Sequence, residues 1–262
     1  MKPSMAKLSV YIIAYNDEDK IEAALQSITW ADEIVVADSH STDRTAEIGR
    51  RYTDKVVQID FQGFGKLRND ALAYCSHEWI FSLDTDERCT TQVKEEILRI
   101  INDSHAADAY LIPRRNLFMG RWIRHSGWYP DYRQPQLFRK GRMRYTDEVV
   151  HEGYILDGRR AEIKSAIWQK PFRDLSQIIA KMERYSSLGA QKLSDKGTQG
   201  SMAKALFHGL WAFIKIYVFR LGFLDGWAGF MIALGNFEGT FYRYAKLAEM
   251  NERWNERKPP FQ

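Results

Sequence analysis

Cysteine is scarce in this chain: Cys75 and Cys89 are the only two in 262 residues. They fit no metal-ligand spacing and point to a reducing compartment. The start of the chain, Met1 to Ser9, lacks the apolar core of a signal peptide. No uncharged apolar run reaches the roughly 18 residues that would predict a membrane-spanning helix. Internal repeats and low-complexity linkers are absent. No Gly-x-Gly-x-x-Gly follows the first apolar run, which disfavours a dinucleotide site, and the P-loop spacing is missing as well. No nucleic-acid recognition motif appears, and outside residues 114–144 the chain carries no excess of basic residues, so nucleic acid is a poor candidate partner.

What is present suffices for a folded core, since 45% of residues are hydrophobic and 13% aromatic. Residues 8–14 read as a buried strand. Residues 17–28 read as a helix with Ile21, Ala24, Leu25 and Ile28 on one face. The alternation continues with strands over 34–37, 56–60 and 79–83 and helices over 43–52, 66–75 and 93–102. Ser41, Thr42 and Asp43 open the second helix as capping-type residues. Strands alternating with helices at this spacing predict an α/β fold with a mostly parallel central sheet. Shorter strands are expected over 110–113, 136–139 and 162–168, between aromatic loops. From Leu175 onward the chain reads as helical. The division expected is an α/β domain over 1–172, whose pattern changes between a first part (1–108) and a second (109–172), followed by a helical extension over 173–262.

The strongest chemical signal is Ile80-Phe81-Ser82-Leu83-Asp84-Thr85-Asp86-Glu87, an apolar run that ends in carboxylates. Ligands of open α/β sheets bind beyond the carboxyl ends of the strands. Two carboxylates one residue apart suit a hard divalent cation, Mg²⁺ or Mn²⁺, with phosphate oxygens completing its shell. Strand one likewise ends at Tyr15-Asn16-Asp17-Glu18 and strand two at Asp38-Ser39-His40-Ser41-Thr42-Asp43. Parallel strands bring these ends to one edge, where unbalanced acids repel unless a cation or hydrogen-bond donors answer them. Taken singly, Asp17, Asp43 and Asp86 could each be helix caps. Gly63-Phe64-Gly65-Lys66-Leu67-Arg68-Asn69 runs from a strand end into a helix and offers backbone N–H groups, with Lys66 or Arg68, to a pyrophosphate.

These residues, with Asp38-Ser-His-Ser-Thr-Asp-Arg-Thr45, together resemble glycosyltransferase family 2 of the GT-A fold. Trp30-Ala-Asp-Glu-Ile34, Val150-His-Glu152 and Gly222-Phe-Leu-Asp-Gly226 resemble its lipopolysaccharide inner-core β-1,4-glucosyltransferase subgroup. The resemblance implies an inverting transfer, with glucose from UDP-glucose the expected sugar, to a glycolipid acceptor. It implies that Tyr15, Asp17, Glu18 and Asp38 meet the base and ribose. It places Lys66, Arg68, Asp84 and Thr85 along the nucleotide sugar, with Asp84 and Asp86 on the metal. A single displacement also needs a base on the acceptor hydroxyl. The candidates are Asp147, Glu148, His151 and Glu152. The family pattern favours Glu152, with His151 beside the diphosphate or metal and Asp147 as second choice.

Residues 114–144 hold nine cationic side chains against the single acid Asp131. The segment is either a solvated basic face or a surface for an anionic substrate or lipid. Trp122, Trp128 and Arg133 within it are acceptor-binding candidates, because rings stack on sugars and arginine forks take phosphate. The aromatic helices over 202–252, punctuated by Lys204, Lys215, Arg220 and Asp225, could lie in a membrane interface, pack on the catalytic domain or form a dimer seam. The resemblance favours the first, and with it a cytoplasmic protein peripheral to the inner leaflet. Oligomeric state stays open. A sugar nucleotidyltransferase should carry a basic Gly-rich loop where Tyr15-Asn16-Asp17-Glu18 stands. A transferase for another cell-surface glycan, or a non-catalytic glycan-binding scaffold, remains as the alternative.

Overall fold

The structure, a computed structural model, describes residues 6–146 and 153–252. The elements in order are β1 (Leu8–Ala14), α1 (Ile21–Gln26), β2 (Glu33–Asp38), α2 (Thr45–Arg50), β3 (Val56–Gln58), α3 (Phe64–Ala73) and β4 (Trp79–Ser82). Next come β5 (Glu87–Arg88), α4 (Thr91–Ile101), β6 (Ala109–Leu111), β7 (Arg114–Phe118), β8 (Arg121–Trp122), β9 (Leu137–Arg139) and β10 (Met143–Tyr145). Then follow β11 (Tyr154–Leu156), β12 (Arg160–Glu162), β13 (Ile167–Gln169), α5 (Leu175–Asp195), α6 (Met202–Ile214) and α7 (Gly226–Glu252). A π-helical segment, Lys215–Phe219, and a 3-10 turn, Gly222–Asp225, separate α6 from α7. Two compact units result, one built from Met1–Arg115 and Pro130–Lys170, the other from Asn116–Tyr129 and Pro171–Gln262.

The first unit is an α/β layer structure around a seven-stranded sheet of order β12-β6-β9-β4-β1-β2-β3. The core strands β4, β1, β2 and β3 are parallel, and β9 enters antiparallel between β4 and β6. Every residue of β1 is buried because both faces of the sheet are covered. Val10 and Ile12 pack toward Ile21, Leu25, Val93 and Ile97 of α1 and α4, while Tyr11 and Ile13 pack with Leu67 and Ala71 of α3. This explains why β1 and β2 read as unbroken apolar runs rather than alternating ones. Cys75 is buried in this second layer, and burial pushes its thiol up to about 12.

Two expectations are corrected. The strand expected over 162–168 is two strands in different sheets: β12 pairs parallel with β6, and β13 pairs antiparallel with β5. Between them the backbone N–H groups of Lys164 and Ser165 turn to the Glu96 carboxylate, both at 3.0 Å, instead of a strand neighbour. The helix expected over 17–28 begins at Ile21, because residues 17–20 form a turn whose Asp17 side chain is committed to Lys20 and Thr85.

In the second unit α5 and α6 both run along α7. Gly209 of α6 leaves room for the Phe237 ring, and Lys246 of α7 donates to Ser186 of α5 at 2.9 Å. Phe118, Ile123, Ala228 and Ile232 form its small core. Met202–Phe219 is long and apolar enough to cross a membrane by length and composition, with a mean hydropathy of 1.3 and 11% of it buried. Lys204 and Lys215 lie within it, so it is not an uncharged run in the sequence.

Glu33 fastens the edge of the sheet opposite the carboxyl ends. Its carboxylate accepts from Ser9 Oγ, Lys55 Nζ and the Ser76 N–H, so it ties the entries to β1 to β4 together. Burial alone would raise this carboxyl, but the bonds from Lys55, Ser9 and Ser76 outweigh it and hold it at about 2. A carboxyl depressed in the folded state stabilises fully above its ordinary value of 4.5 and loses that contribution as pH falls toward 2. We therefore expect Glu33→Gln to cost about 2–3 kcal/mol at neutral pH and to flatten the acid limb of stability. Urea denaturation of both proteins across pH checks this; stability curves that stay parallel down to low pH would refute it.

Candidate active site

The register places Ala14 opposite Asp38, so β1 and β2 terminate side by side. β4 ends level with Tyr11, and the chain then enters the carboxylate loop, with Leu83 N–H donating to the Tyr11 carbonyl at 3.1 Å. The three acid-bearing strand ends thus meet at one edge, as the parallel reading requires.

The loops after β1 and β2 are laced together. Asn16 N–H donates to Ser41 Oγ at 2.9 Å, Thr42 N–H to Asn16 Oδ1 at 2.8 Å, Asp17 N–H to Thr45 Oγ1 at 2.8 Å, and Glu18 N–H to Asp43 Oδ2 at 3.1 Å. Asn16 and His40 both hold positive φ, 51° and 59°, conformations that short polar residues tolerate best. The acid side chains are already engaged. Asp38 is buried and accepts from Ser41 Oγ and from Gln58 Nε2 at 2.9 Å. Glu18 accepts from Arg44 N–H and Nε. Tyr15 stands exposed beside them.

Asp17 reaches across to the third strand end, where Thr85 Oγ1 donates to its Oδ2 at 2.8 Å. Thr85 is therefore buried and holds two loops together. Arg68, from α3, is 5% exposed and donates to Asp84 Oδ1 at 2.8 Å and to Ser82 Oγ at 3.1 Å. Its guanidinium lies 5.5 Å from the Tyr145 ring, whose hydroxyl shares a 2.9 Å bond with Tyr11. Lys66, two residues earlier and so on the other side of α3, pairs with Asp70 at 2.7 Å and is half-exposed. Of the two cations in the Gly-rich segment, Arg68 is the one brought to the carboxylates.

Beneath the loop lies an ion pair that sequence reasoning missed. Glu87 is fully buried and accepts from Arg114 Nε at 2.5 Å, Gln136 Nε2 at 2.8 Å and the Asp84 N–H at 3.0 Å. Arg114, 1% exposed, is thus no part of a solvated basic face. Arg139 and Arg142 of the same stretch pair with Glu78 and Asp157. Arg133 pairs with Asp131 at 2.7 Å and adds its charge near Asp84. Trp122 and Trp128 belong to the helical unit.

The two aspartates differ electrostatically. Burial would raise the Asp84 carboxyl, but the Arg68 and Arg114 guanidiniums hold it below its usual range. Burial pushes the Asp86 carboxyl up to about 7, and the neighbouring charges of Glu87 and Asp84 act the same way; a 3.1 Å bond from Gln169 Nε2 opposes them. Asp86 thus lacks a nearby cation strong enough to offset its burial. Among the described residues no three His, Cys, Asp or Glu side chains converge on a metal-holding geometry. Two hard carboxylate donors fit an ion that takes one or two protein carboxylates and completes its shell with phosphate and water. Asp147, Glu148, His151 and Glu152 lie outside the described residues.

Removing one partner of a buried pair strands the other charge. Arg114→Met should destabilise the protein by roughly 3–5 kcal/mol, and adding Glu87→Gln should recover much of that loss. Equilibrium denaturation of the two variants decides it. A double variant no more stable than Arg114→Met would mean that packing, not the stranded carboxylate, carries the cost.

Residues 9–155 match the family model for Glycosyl transferase family 2. The chain is 29% identical over 259 residues to lipopolysaccharide core biosynthesis glycosyltransferase LpsC of Rhizobium meliloti, covering 94% of this chain and 92% of that protein. It is 30% identical over 125 residues to the poly(ribitol-phosphate) beta-N-acetylglucosaminyltransferase TarS of Staphylococcus aureus, covering 43% of this chain and 22% of TarS. The crystal structure of S. aureus TarS 1-349 in complex with UDP-GlcNAc aligns with a TM-score of 0.49 and 18% identity, covering 94% of this chain and 92% of that one.

Proposed function

The chain belongs to glycosyltransferase family 2, and we propose that it is an inverting, metal-dependent hexosyltransferase that moves glucose from UDP-glucose to a glycolipid acceptor such as the lipopolysaccharide inner core. The observation that carries this reading is the meeting of three strand ends, with Asp84 held in its charged form by Arg68 beside an Asp86 whose burial outweighs the nearby charges of Lys20 and Arg88. Similarity to LpsC, a lipopolysaccharide core biosynthesis glycosyltransferase, supports the acceptor class.

In this reading Tyr15, Asp17, Glu18 and Asp38 frame the nucleoside, with Asp38 orienting Ser41 and Gln58. Asp84 and Asp86 would hold Mg²⁺ or Mn²⁺, which supplies charge neutralisation to the departing diphosphate. Arg68 fixes the rotamer and charge of Asp84, Thr85 fixes the loop against Asp17, and Lys66 stands at the phosphate end of α3. Glu152 takes the proton from the acceptor hydroxyl as its oxygen attacks the anomeric carbon and the bond to the diphosphate oxygen breaks on the opposite face. The family resemblance assigns His151 to the diphosphate or the metal, and Asp147 is the second candidate base. Trp122, Trp128 and Arg133 serve the acceptor.

We assign the donor half to residues 1–108, the acceptor half to 109–172 and a membrane role to the helices beyond. The exposed apolar side chains of α6 and the segments after it support peripheral contact with an anionic inner leaflet, and so a cytoplasmic protein at that membrane.

A ligand bound only by the folded protein raises its melting temperature. UDP-glucose should do so in the presence of Mn²⁺, and Asp86→Asn should abolish the metal-dependent part of the shift. Glu152→Gln should retain the shift while turnover falls by about 10²–10⁴-fold. A Glu152→Gln enzyme with near-normal turnover moves the base to Asp147. No shift with any nucleotide sugar would support a non-catalytic glycan-binding protein instead.

A further inference from the structure

The helical unit contains a cavity of about 340 Å³ lined by Arg121, Trp122, Arg124, His125, Leu224 and Asp225. None of the carboxylates of the candidate active site lines it. We propose that this cavity binds the anionic head of a lipid, phosphate or carboxylate, within the bilayer that the apolar face of α6 and the following turn meets. This rests on the membrane contact proposed above.

The cavity is built rather than incidental. Asp225 is 2% exposed and holds its wall in place. It accepts from Arg124 N–H at 3.1 Å, His125 N–H at 3.1 Å, Ser126 Oγ at 2.9 Å and His125 Nδ1 at 3.2 Å. Ser126 N–H donates to the Arg220 carbonyl at 2.8 Å. The loop after β8 and the Gly222–Asp225 turn are thereby locked together at two points. The turn sits directly on α7, because a Cβ on Gly229 would lie 1.8 Å from the Gly222 carbonyl oxygen. Ser126 and Leu221 hold positive φ, 58° and 55°, a conformation that non-glycine residues of these types adopt only against a steric cost. Strained backbone persists where surrounding bonds over-determine it, often at ligand clamps.

The charge balance selects an anion. Asp225 spends its carboxylate on four donors within the wall, whereas neither Arg121 nor Arg124 has a carboxylate partner among the described residues. The Arg124 guanidinium lies 4.4 Å from the Trp122 ring centroid, a stacking that orients its fork. Two guanidinium forks suit a multi-oxygen anion better than a monatomic one.

The surroundings select a lipid as the source of that anion. Leu224 lines the cavity and is 51% exposed, next to exposed Phe223 and Trp227. The apolar surface continues through Phe219, which meets the Trp211 ring at 5.8 Å, to Phe207 on α6. Lys215 and Arg220 are interleaved with this surface. A charged head beside apolar chains matches that juxtaposition, with tryptophan at the level where headgroup gives way to hydrocarbon.

The test is co-sedimentation of the full chain with vesicles of phosphatidylcholine alone and of phosphatidylcholine mixed with phosphatidic acid. Wild type should bind both and prefer the mixture. The double variant Arg121→Ala/Arg124→Ala should lose that preference by roughly twentyfold while still binding neutral vesicles and keeping the UDP-glucose thermal shift. The charge-matched Lys192→Ala/Lys196→Ala should change the preference far less. Equal losses in the two double variants would assign the preference to diffuse charge and overturn the cavity. Inorganic phosphate bound by wild type and lost in Arg121→Ala/Arg124→Ala, without any preference for acidic vesicles, would place the anion in solution and overturn the lipid assignment. Failure to bind any vesicle, with the chain self-associating through this face instead, would overturn the membrane reading itself. Phe223→Ser/Trp227→Ser tests that reading separately, since it should weaken binding to neutral vesicles and leave phosphate binding intact.

Discussion

Three carboxylates in four residues, Asp84, Asp86 and Glu87, are pressed into the first unit at the end of β4, and the architecture around them is organised by that repulsion. Two buried guanidiniums answer it unequally. Arg114 meets Glu87 from below and Arg68 meets Asp84 from the side. Asp86 receives an amide hydrogen bond, and the charges of Lys20 and Arg88 act on it without offsetting its burial. Burying like charges costs several kcal/mol per ion unless they are paired, so an uneven answer leaves a local deficit of positive charge at one carboxylate. That deficit is what the loop offers to a cation or to donors on a ligand. Its position is not free to drift, because the Glu87 carboxylate also accepts the Asp84 N–H and so fixes the backbone that carries both aspartates.

The sheet supplies the rigidity this requires. Parallel pairing sets Ala14 beside Asp38 and Tyr11 beside Ser82, and a one-residue slip would turn every buried side chain of β1 to the wrong layer. Because both layers are apolar, the fit of particular side chains into each layer, rather than an apolar–polar alternation, holds the register that the strand ends inherit. At the opposite edge Glu33 ties the strand entries together. The two acids therefore act in opposite senses. Glu33 is held ionised because its lone pairs are satisfied, whereas Asp86 is pushed toward neutrality because its surroundings are not arranged for its charge.

Much of this was legible in the sequence. Unbroken apolar runs over 8–14 and 34–37 specify strands buried on both faces, and their carboxylate ends predict a common edge. The strand-to-helix entry through Gly63 and Gly65 offered Lys66 and Arg68 alike, and only burial and the bond to Asp84 separate Arg68 from its neighbour. The Glu87–Arg114 pair could not be read. Its partners are 27 residues apart in the chain and sit on separate strands, and Arg114 looks like its basic neighbours until burial separates them. The split between β12 and β13 was equally hidden, since Glu96 draws off the intervening N–H groups from a distant helix. Periodicity records which face a residue presents, but carries no information about which long-range polar partner takes up a backbone group.

Backbone strain follows the same logic. The described residues hold five non-glycine positions at positive φ. Asn16 and His40 lie in the loops that carry the acid-bearing strand ends, where Ser41, Thr42 and Gln58 bond to them. Met119, Ser126 and Leu221 lie in the helical unit, and the last two flank the Asp225 network. A serine or leucine gains nothing intrinsic from that conformation, so neighbouring bonds must hold it there. In both units those bonds converge on a single buried aspartate, Asp38 in one and Asp225 in the other. Each accepts from a serine and a second polar side chain while its loop turns sharply. A carboxylate has enough acceptor positions to gather several donors from two segments at once, which neutral side chains of similar size do not. That capacity explains why the chain places a charge, rather than an apolar contact, under each of its most sharply turned loops.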